Sequence, residues 1–280
     1  MDKKTLKSAE MLIDMAFAED IGDGDITTQN LINAEDAKTA NFVAKADGVV
    51  AGLSLAEMVF RRLDKNLEWT EFFPDGTPVK SGDVIASFKG SYGALLTGER
   101  TALNFLQRMS GIATYASACM QTVKGTKVEI LDTRKTLPGY RFLDKYAVRM
   151  GGASNHRIGL YDMVMIKDNH IQVAGGITAA VEAIRKNIPK SIKIEVETTS
   201  LEQVKEAVAA DADIIMLDNM SIAQMKEGVE YIAGRAKVEA SGNMTLERIA
   251  EVARTGIDFI SIGALTHSVQ ALDISQRIID

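Results

Sequence analysis

The sequence is poor in the residues that build covalent or metal-bound frameworks. One cysteine, Cys119, and three histidines occur in 280 residues, together with only four prolines. A single cysteine excludes an intrachain disulfide and a cysteine metal cluster, and no HExxH motif or three-histidine cluster supports a zinc mechanism. We interpret Cys119 as a buried, inert thiol, because no histidine lies near it in the sequence to activate it.

Long apolar runs and excess positive charge are also lacking. No stretch approaches the roughly 18 uninterrupted apolar residues of a membrane span, and the first twenty residues are too acidic for a secretory signal. We therefore expect a cytoplasmic protein. The formal net charge of -6 argues against a broad nucleic-acid-binding surface, so any site for anions should be local.

What the sequence does contain begins with an α+β pattern in about the first 90 residues. Short strand-like runs are separated by Asp-Gly and Lys-Gly turns, and one helical segment lies between the first two runs. The strand-like runs are 41–52, 67–79 and 82–90, and the helical segment is 54–64. This pattern predicts a small α+β domain.

A helical region follows at residues 97–125. Apolar residues recur there at helical spacing, and Ser110-Gly111 is interpreted as a break that divides the region into a buried helix pair. Arg100, Asn104 and Arg108 stand four residues apart and share one helix face. Their spacing alone fits a solvated face as well as a functional one.

From residue 127 onward the sequence repeats a strand-then-helix pattern. Its short apolar runs end in polar or glycine residues, and most are followed by a helical segment; the runs are 127–131, 161–166, 192–196, 213–217, 237–240 and 258–263. Strands this apolar have no exposed face, which is typical of parallel strands covered by helices. A closed or nearly closed (β/α) barrel is favoured over a doubly wound sheet, because no glycine-rich dinucleotide-binding turn follows the first strand.

In such a barrel the active site lies at the carboxyl ends of the strands. The residues at those ends form a cationic group, an acidic group and two turns of small residues: Asp132, Thr133, Arg134, Lys135; Lys167, Asp168, Asn169; Glu195, Glu197; Asp218, Asn219; Ser241, Gly242, Asn243; Gly263, Ala264. Asp132 or Asp218 taken alone is typical of a helix cap. Six complementary strand ends together indicate a binding site.

Each group at the strand ends suits a particular ligand. The cations Arg134, His156, Arg157 and Lys167 suit carboxylates. The acids Glu197 and Asp218 suit sugar hydroxyls or a hydrated Mg²⁺. The turns at 241–243 and 262–264 belong to the last two strands, where barrels commonly bind a phosphate, and His267 adds a donor nearby. The combination predicts a carboxylated small molecule and a phosphorylated sugar as ligands.

At these residues the chain resembles the quinolinate phosphoribosyltransferase family, also called nicotinate-nucleotide pyrophosphorylase (carboxylating). The motifs run in order along nearly the whole chain: EDIGDGDITT, GERTALNFLQRMSGIAT, DTRKTLPGYR, KYAVRMGGASNHR, IKDNHI, IEVE, MLDN, EASGN and DFISIGALTHS. No single motif is specific for this family, but the series of motifs in this order is.

The resemblance implies a fold and an assembly. It implies an α/β protein with an incomplete (β/α) barrel of parallel strands and a smaller N-terminal α+β sandwich domain. The domains expected are 1–110, which closes the site of a partner subunit, 111–265, the catalytic barrel, and 266–280, a tail packing back on the N-terminal domain. It further implies a homodimer with shared active sites and a requirement for Mg²⁺. From charge and hydropathy we expect no nucleic-acid or membrane partner.

The resemblance also assigns roles to particular residues. Arg134, His156, Arg157 and Lys167 would bind the quinolinate carboxylates, together with Arg100 of the neighbouring subunit, and Lys135 would lie between the two substrates. Glu197 and Asp218 would contact the ribose hydroxyls and, through water, the metal. Ser241, Gly242, Gly263 and His267 would bind the 5-phosphate of 5-phosphoribosyl-1-pyrophosphate. Lys135, Lys167, Glu197 and Asp218 are the expected catalytic residues.

Three other functions fit parts of the pattern. A paralogous pyrophosphorylase linked to molybdenum utilisation shares much of it, although Lys167 and Asp168 argue against that assignment. A Schiff-base lyase could use Lys167 as its nucleophile. A non-catalytic regulator that binds a phosphosugar is disfavoured because acidic and cationic groups are both present.

Overall fold

The computed structural model describes residues 1–33 and 36–279. Its helices are α1 (Lys3–Asp20), α2 (Ile26–Leu31), α3 (Leu53–Leu63), α4 (Tyr92–Thr122), α5 (Arg141–Met150), α6 (Asp168–Ala174), α7 (Ile177–Arg185), α8 (Leu201–Ala209), α9 (Ile222–Ile232), α10 (Leu246–Val252) and α11 (Ala264–His267). Its strands are β1 (Ala37–Ala44), β2 (Gly48–Val49), β3 (Glu68–Glu71), β4 (Pro78–Val79), β5 (Val84–Ser91), β6 (Glu129–Leu131), β7 (Val164–Ile166), β8 (Ile194–Thr198), β9 (Ile214–Asp218), β10 (Lys237–Ser241), β11 (Phe259–Ser261) and β12 (Ile274–Ile279). None of the helices in these residues is long and apolar enough to cross a membrane.

Two compact units share these elements. The first consists of Met1–Ser117, Thr136–Gly152 and residues 264–279, and the second of Ala118–Lys135 and Ala153–Gly263. Residues 110 and 111, where the sequence predicts a domain boundary, both lie inside α4. The predicted domain boundaries at 110/111 and 265/266 stay predictions.

The first unit is built on an antiparallel sheet with strand order β12-β1-β5-β3. Alternate residues of β1 and β5 point to one face, where Phe42 and Phe88 pack with ring centroids 4.8 Å apart. Phe60 of α3 joins them at 4.8 Å from Phe88, and Trp69 of β3 stacks on Phe88 at 4.9 Å. This aromatic cluster confirms the α+β domain predicted from the first 90 residues.

The predicted break at Ser110-Gly111 is wrong, because α4 is one continuous helix of 31 residues. Close packing explains the glycine: a Cβ on Gly111 would lie 2.1 Å from the carbonyl oxygen of Gln270. Ser110 is buried, and its hydroxyl accepts a hydrogen bond from the amide of Ala51. Both small residues therefore serve tertiary contacts of the helix.

The polar stripe of α4 also has a structural use. Arg108 donates from Nη2 to Oδ2 of Asp144 at 2.8 Å and from Nε to Oδ1 at 3.2 Å, and Asp144 is fully buried. A buried carboxylate needs such a partner. Arg108 thus belongs to the core of the first unit and not to a solvated face.

The second unit contains a six-stranded parallel sheet with strand order β6-β11-β10-β9-β8-β7. Within the described residues β6 and β7 are the two edges and do not pair with each other, so the barrel is open. The sheet nevertheless curls, since His156, which follows β6 in the chain, reaches side chains of both β8 and β10. These findings confirm the predicted incomplete (β/α) barrel and a separate domain with a small antiparallel sheet.

Candidate active site

The inward-facing side chains of β8 and β10 form two levels. Glu195 and Glu197 are two residues apart on β8, as are Glu239 and Ser241 on β10, and each pair therefore points to one face. Glu195 and Glu239 are fully buried, whereas Glu197 and Ser241 are partly exposed at the carboxyl ends of the strands. The open level is where the sequence predicts the site.

The buried level is a cluster of one histidine and two glutamates. Nε2 of His156 lies 3.1 Å from Oε2 of Glu195 and 3.3 Å from Oε2 of Glu239. These short distances involve one oxygen of each glutamate, and among the described residues no other group satisfies the four buried carboxylate oxygens. Nδ1 of the same ring accepts a hydrogen bond from the amide of Arg157 at 2.7 Å. Both ring nitrogens are thus engaged inside the protein.

This cluster retains a proton in neutral solution. Burial lowers the pKa of His156, but hydrogen bonds and charge from Glu195 and Glu239 outweigh burial and raise it to about 10. Burial also raises the pKa of Glu195, which the contact with His156 partly offsets. Because the amide of Arg157 donates to Nδ1, that nitrogen is an acceptor, and Nε2 is the ring nitrogen whose proton faces the two carboxylates.

Asp132 fixes the segment that carries His156. Its fully buried carboxylate accepts from the backbone amide of His156 at 2.9 Å and from Nδ2 of Asn155 at 2.6 Å. The helix-cap interpretation of Asp132 is therefore wrong, because its oxygens bind a loop. The same interpretation of Asp218 is also wrong, since Ser221 caps helix α9.

The charge of Arg157 interacts with those of Arg134 and of Glu195 in this cluster. Burial and the neighbouring charge of Arg134 lower the pKa of Arg157, and the charge of Glu195 partly restores it. Nη1 of Arg157 donates to the carbonyl oxygen of Met163 at 3.1 Å, which fixes the direction of the side chain. Arg134 and Arg157 are both partly exposed, so a dianion entering from solvent can meet them.

Lys167 lies directly after β7, at the N-terminus of α6. Its ammonium group pairs with Oε2 of Glu197, and its side chain is 43% exposed. The pairing joins a predicted carboxylate-binding cation to a predicted ribose-binding acid at neighbouring strand ends. A substrate that binds both groups would therefore have to replace or adjust this ion pair.

The carboxyl ends of the parallel strands β9 and β10 lie side by side. Oδ2 of Asp218 accepts from Nδ2 of Asn219 at 2.8 Å, and the amide of Asn219 donates to the carbonyl of Ser241 at 3.0 Å. Gly242 has φ +98, and a Cβ there would lie 2.2 Å from Oδ1 of Asn219. Only glycine fits this position, which brings backbone close to the end of β9.

Four further residues predicted to bind substrate are divided between the two units. Lys135 is exposed beside Arg134, and Gly263 ends the second unit directly before α11. Arg100 and His267 belong to the first unit. Arg100 is exposed on α4 and lines a cavity of about 300 Å³, and Nδ1 of exposed His267 lies 2.7 Å from Oγ of Ser268. The substrate contacts assigned to these residues stay predictions.

Sequence reasoning misses the role of the buried acids. It lists Glu195 beside Glu197 at one strand end without a role of its own, and it does not select Glu239 at all. A glutamate at an inward position of an otherwise apolar strand is the available signal, because an ionisable group there needs a specific partner.

Comparison with known proteins shows the family of this chain. Residues 25–110 match the family described as "Quinolinate phosphoribosyl transferase, N-terminal domain", and residues 112–277 match its C-terminal domain. The chain belongs to the quinolinate phosphoribosyltransferase family. The predicted resemblance is confirmed.

Individual relatives of this family agree with the assignment. A "Probable nicotinate-nucleotide pyrophosphorylase [carboxylating]" from Synechocystis sp. is 47% identical over 94% of this chain and 90% of its own. The protein of the same name from Bacillus subtilis is 43% identical over 95% and 92%. Neither name supports the molybdenum-linked or lyase alternative.

Solved structures of quinolinate phosphoribosyltransferase relatives share the whole fold. NadC from Streptococcus pyogenes superposes with a TM-score of 0.94 at 38% identity and full coverage of both chains. The nicotinate-nucleotide pyrophosphorylase from Francisella tularensis also superposes with a TM-score of 0.94, at 41% identity, covering 98% of this chain and 96% of its own.

Proposed function

We propose that the chain is a decarboxylating phosphoribosyltransferase of NAD biosynthesis. It joins quinolinate to 5-phosphoribosyl-1-pyrophosphate and releases nicotinate mononucleotide, carbon dioxide and pyrophosphate. The observation that carries the proposal is the cation group Arg134, Arg157 and Lys167 at the same strand ends as the acids Glu197 and Asp218, in a chain of this family. The cations can pair with the two carboxylates of quinolinate, and the acids can accept hydrogen bonds from the ribose hydroxyls.

The cations orient quinolinate for two successive steps. In the first, the pyridine nitrogen forms a bond to the anomeric ribose carbon while the bond to pyrophosphate breaks, so positioning and electrostatics supply most of the rate. Arg134, Arg157 and Lys167 hold the ring in line, with Lys135 between the substrates and Arg100 supplied by a second subunit. The sequence predicts His156 as a further ligand, but its ring nitrogens already contact protein groups.

The second step removes one carboxylate. The ring nitrogen is now positively charged, so it stabilises the electron pair left on the adjacent ring carbon when the carbon–carbon bond breaks and carbon dioxide leaves. That carbon then takes up a proton. The cations must therefore bind the departing carboxylate no more strongly than they bind the transition state.

The carboxylates of Glu197 and Asp218 also fit Mg²⁺. Both offer hard oxygen donors at neighbouring, partly exposed strand ends, and this donor type matches Mg²⁺ bound through water. When bound, the metal would neutralise charge on the pyrophosphate leaving group. Ser241, Gly242, Gly263 and His267 are proposed to bind the 5-phosphate, supported by the close backbone approach at Gly242.

Product analysis tests the proposed reaction. Purified enzyme is mixed with quinolinate, 5-phosphoribosyl-1-pyrophosphate and Mg²⁺, and nicotinate mononucleotide is measured by mass spectrometry. We expect efficient turnover of quinolinate and poor turnover of nicotinate, because nicotinate leaves cations unpaired. Comparable turnover of nicotinate would refute a decarboxylating enzyme.

We further infer a homodimer with shared sites. The first unit exposes large apolar side chains on its first two helices, which fits burial against a second copy: Met11, Met15, Ile26 and Leu31. Arg100 is exposed in the same unit, where a partner's site could use it. A lone, buried thiol at Cys119 fits the reducing conditions of the cytoplasm, where we place the enzyme.

A subunit-mixing experiment tests the shared site. Inactive Arg100→Ala and Lys167→Ala dimers are unfolded together and reassembled, and exchange is verified by mass. Half of the dimers should be mixed, and one site in each mixed dimer should be intact, so about one quarter of all sites should regain activity. Activity no higher than the average of the two parents would show that Arg100 acts within its own chain.

A further inference from the structure

We propose that Glu195 and Glu239 are positioning residues that hold the imidazole of His156 and thereby place the guanidinium of Arg157 for quinolinate. His156 is then a link inside the protein and not a ligand of the substrate. This inference rests on the proposed function and assigns a part in it to two buried acids that touch no substrate.

Both nitrogens of the His156 ring face protein groups. Nε2 of His156 faces Glu195 and Glu239 at 3.1 and 3.3 Å, and Nδ1 accepts from the amide of Arg157. An imidazole has only these two polar atoms. A substrate carboxylate could therefore reach the ring only by displacing a contact that the protein already makes.

The positions of His156 and Arg157 are coupled. The ring is anchored below by strands β8 and β10, the His156 amide is anchored by Asp132, and the Arg157 amide is bonded to the ring. The far end of Arg157 is held by the carbonyl of Met163. A shift of the ring would move the backbone of Arg157, while its side chain stays tied at the other end.

The buried acids also balance the charge of the two arginines. Arg134 and Arg157 lie close enough to repel each other, and the carboxylate of Glu195 attracts Arg157 from below. Before substrate arrives, the buried acids balance cations that are partly shielded from water. They keep the cationic pair assembled, so less reorganisation is needed when the dicarboxylate binds.

Steady-state kinetics of the full-length enzyme with Mg²⁺ test the proposal. Glu239→Leu removes the acceptor at similar volume, Glu239→Gln keeps an acceptor, and His156→Asn shortens the link. A double variant combines Glu239→Leu with His156→Asn. The matched control is Glu129→Leu, because Glu129 is an exposed glutamate on β6 that accepts from the Ser154 hydroxyl, close to the same segment.

We expect Glu239→Leu and His156→Asn each to raise the KM for quinolinate by about tenfold. A small displacement of Arg157 weakens the binding of quinolinate and leaves the binding of the other substrate unchanged. The KM for 5-phosphoribosyl-1-pyrophosphate and kcat should stay within about twofold of wild type. Glu239→Gln should recover most of the loss. The double variant should remain near about tenfold instead of about a hundredfold, since both changes break one link.

Several outcomes would overturn the proposal. These are kinetics of Glu239→Leu equal to those of Glu129→Leu, equal loss for both substrates, or multiplied losses in the double variant, which would make His156 an independent ligand. A stoichiometric divalent metal in purified wild type that is absent from Glu239→Leu would also overturn it, by making the cluster a cation site.

A measurement on wild type covers the case in which a variant does not fold. The chain has three histidines, so the Nε2 proton of His156 can be assigned by nitrogen-15 NMR with His170→Asn and His267→Asn as references. We expect its resonance to persist when quinolinate saturates the enzyme, and its transfer or loss would overturn the proposal. If wild type forms no nicotinate mononucleotide, the proposed function fails instead, and the two failures are distinguished.

Discussion

The two compact units bury different chemistry. The core of the first is a cluster of rings, with Phe42, Phe60 and Phe88 almost fully buried. The second buries Glu195 and Glu239 to the same degree within a parallel sheet. Apolar burial stabilises a fold directly, whereas buried carboxylates cost stability unless they are paired. A core that keeps such groups therefore points to a use beyond stability.

The first unit contains a buried carboxylate with a structural role. Asp144 receives two hydrogen bonds from Arg108, in the paired geometry typical of a guanidinium and a carboxylate. Glu195 and Glu239 instead share the single Nε2 of His156. The contrast separates a fully compensated structural pair from a cluster that lies next to the proposed quinolinate site.

The largest expected effect comes from breaking the aromatic core. Phe88→Ala should lower the free energy of unfolding by about 3–5 kcal/mol, because it removes the ring that Phe42, Phe60 and Trp69 all contact. Denaturant unfolding measures the change. Phe72→Ala is the control, since Phe72 is 55% exposed. Equal effects of the two substitutions would contradict a core centred on Phe88.

The next effect should appear in catalysis and not in stability. Lys167→Ala should lower kcat/KM by an amount that corresponds to about 2–4 kcal/mol of transition-state stabilisation. The substitution leaves a desolvated substrate anion and Glu197 without their cation. Exposed Lys193→Ala is the control. Unfolding should change little in either variant. Near-normal kcat/KM would remove Lys167 from the site.

A smaller effect concerns the pH dependence of stability. The pKa of His156 is raised from 6.5 to about 10 in the folded protein, so its stabilising contribution is complete below pH 6.5 and is lost as pH rises through 10. The difference in unfolding free energy between wild type and His156→Gln should therefore shrink over this range. A difference that stays constant from pH 6.5 to 10 would contradict the raised pKa.

The smallest effect should come from an exposed ion pair of the first unit. Nη1 of Arg62 lies 2.8 Å from Oδ1 of Asp14, with side chains 44% and 62% exposed. Arg62→Gln should change the free energy of unfolding by no more than about 0.5 kcal/mol, because solvent screens such pairs. A loss as large as that of Phe88→Ala would mean that charge at the surface matters as much as the aromatic core.

Much of the site follows from the sequence because strand periodicity is local. Parallel strands carry their functional side chains at one end, so the positions of the apolar runs are enough to group Lys167, Glu197 and Asp218. Gly111 shows the limit of local signals. Glycine is typical of a helix break, yet here it marks close contact with Gln270, about 160 residues away, and no local pattern contains that neighbour.

By itself, the sequence determined the strand-and-helix order, the family, and which charges gather at the strand ends, because these depend on residue spacing and ordered motifs. Only the tertiary structure decided that His156 turns into the protein, toward Glu195 and Glu239, instead of toward the open strand ends. The orientation of an imidazole depends on which partners the curled sheet brings within about 3 Å. Those partners come from strands β8 and β10, far from His156 along the chain, so only folding brings them together.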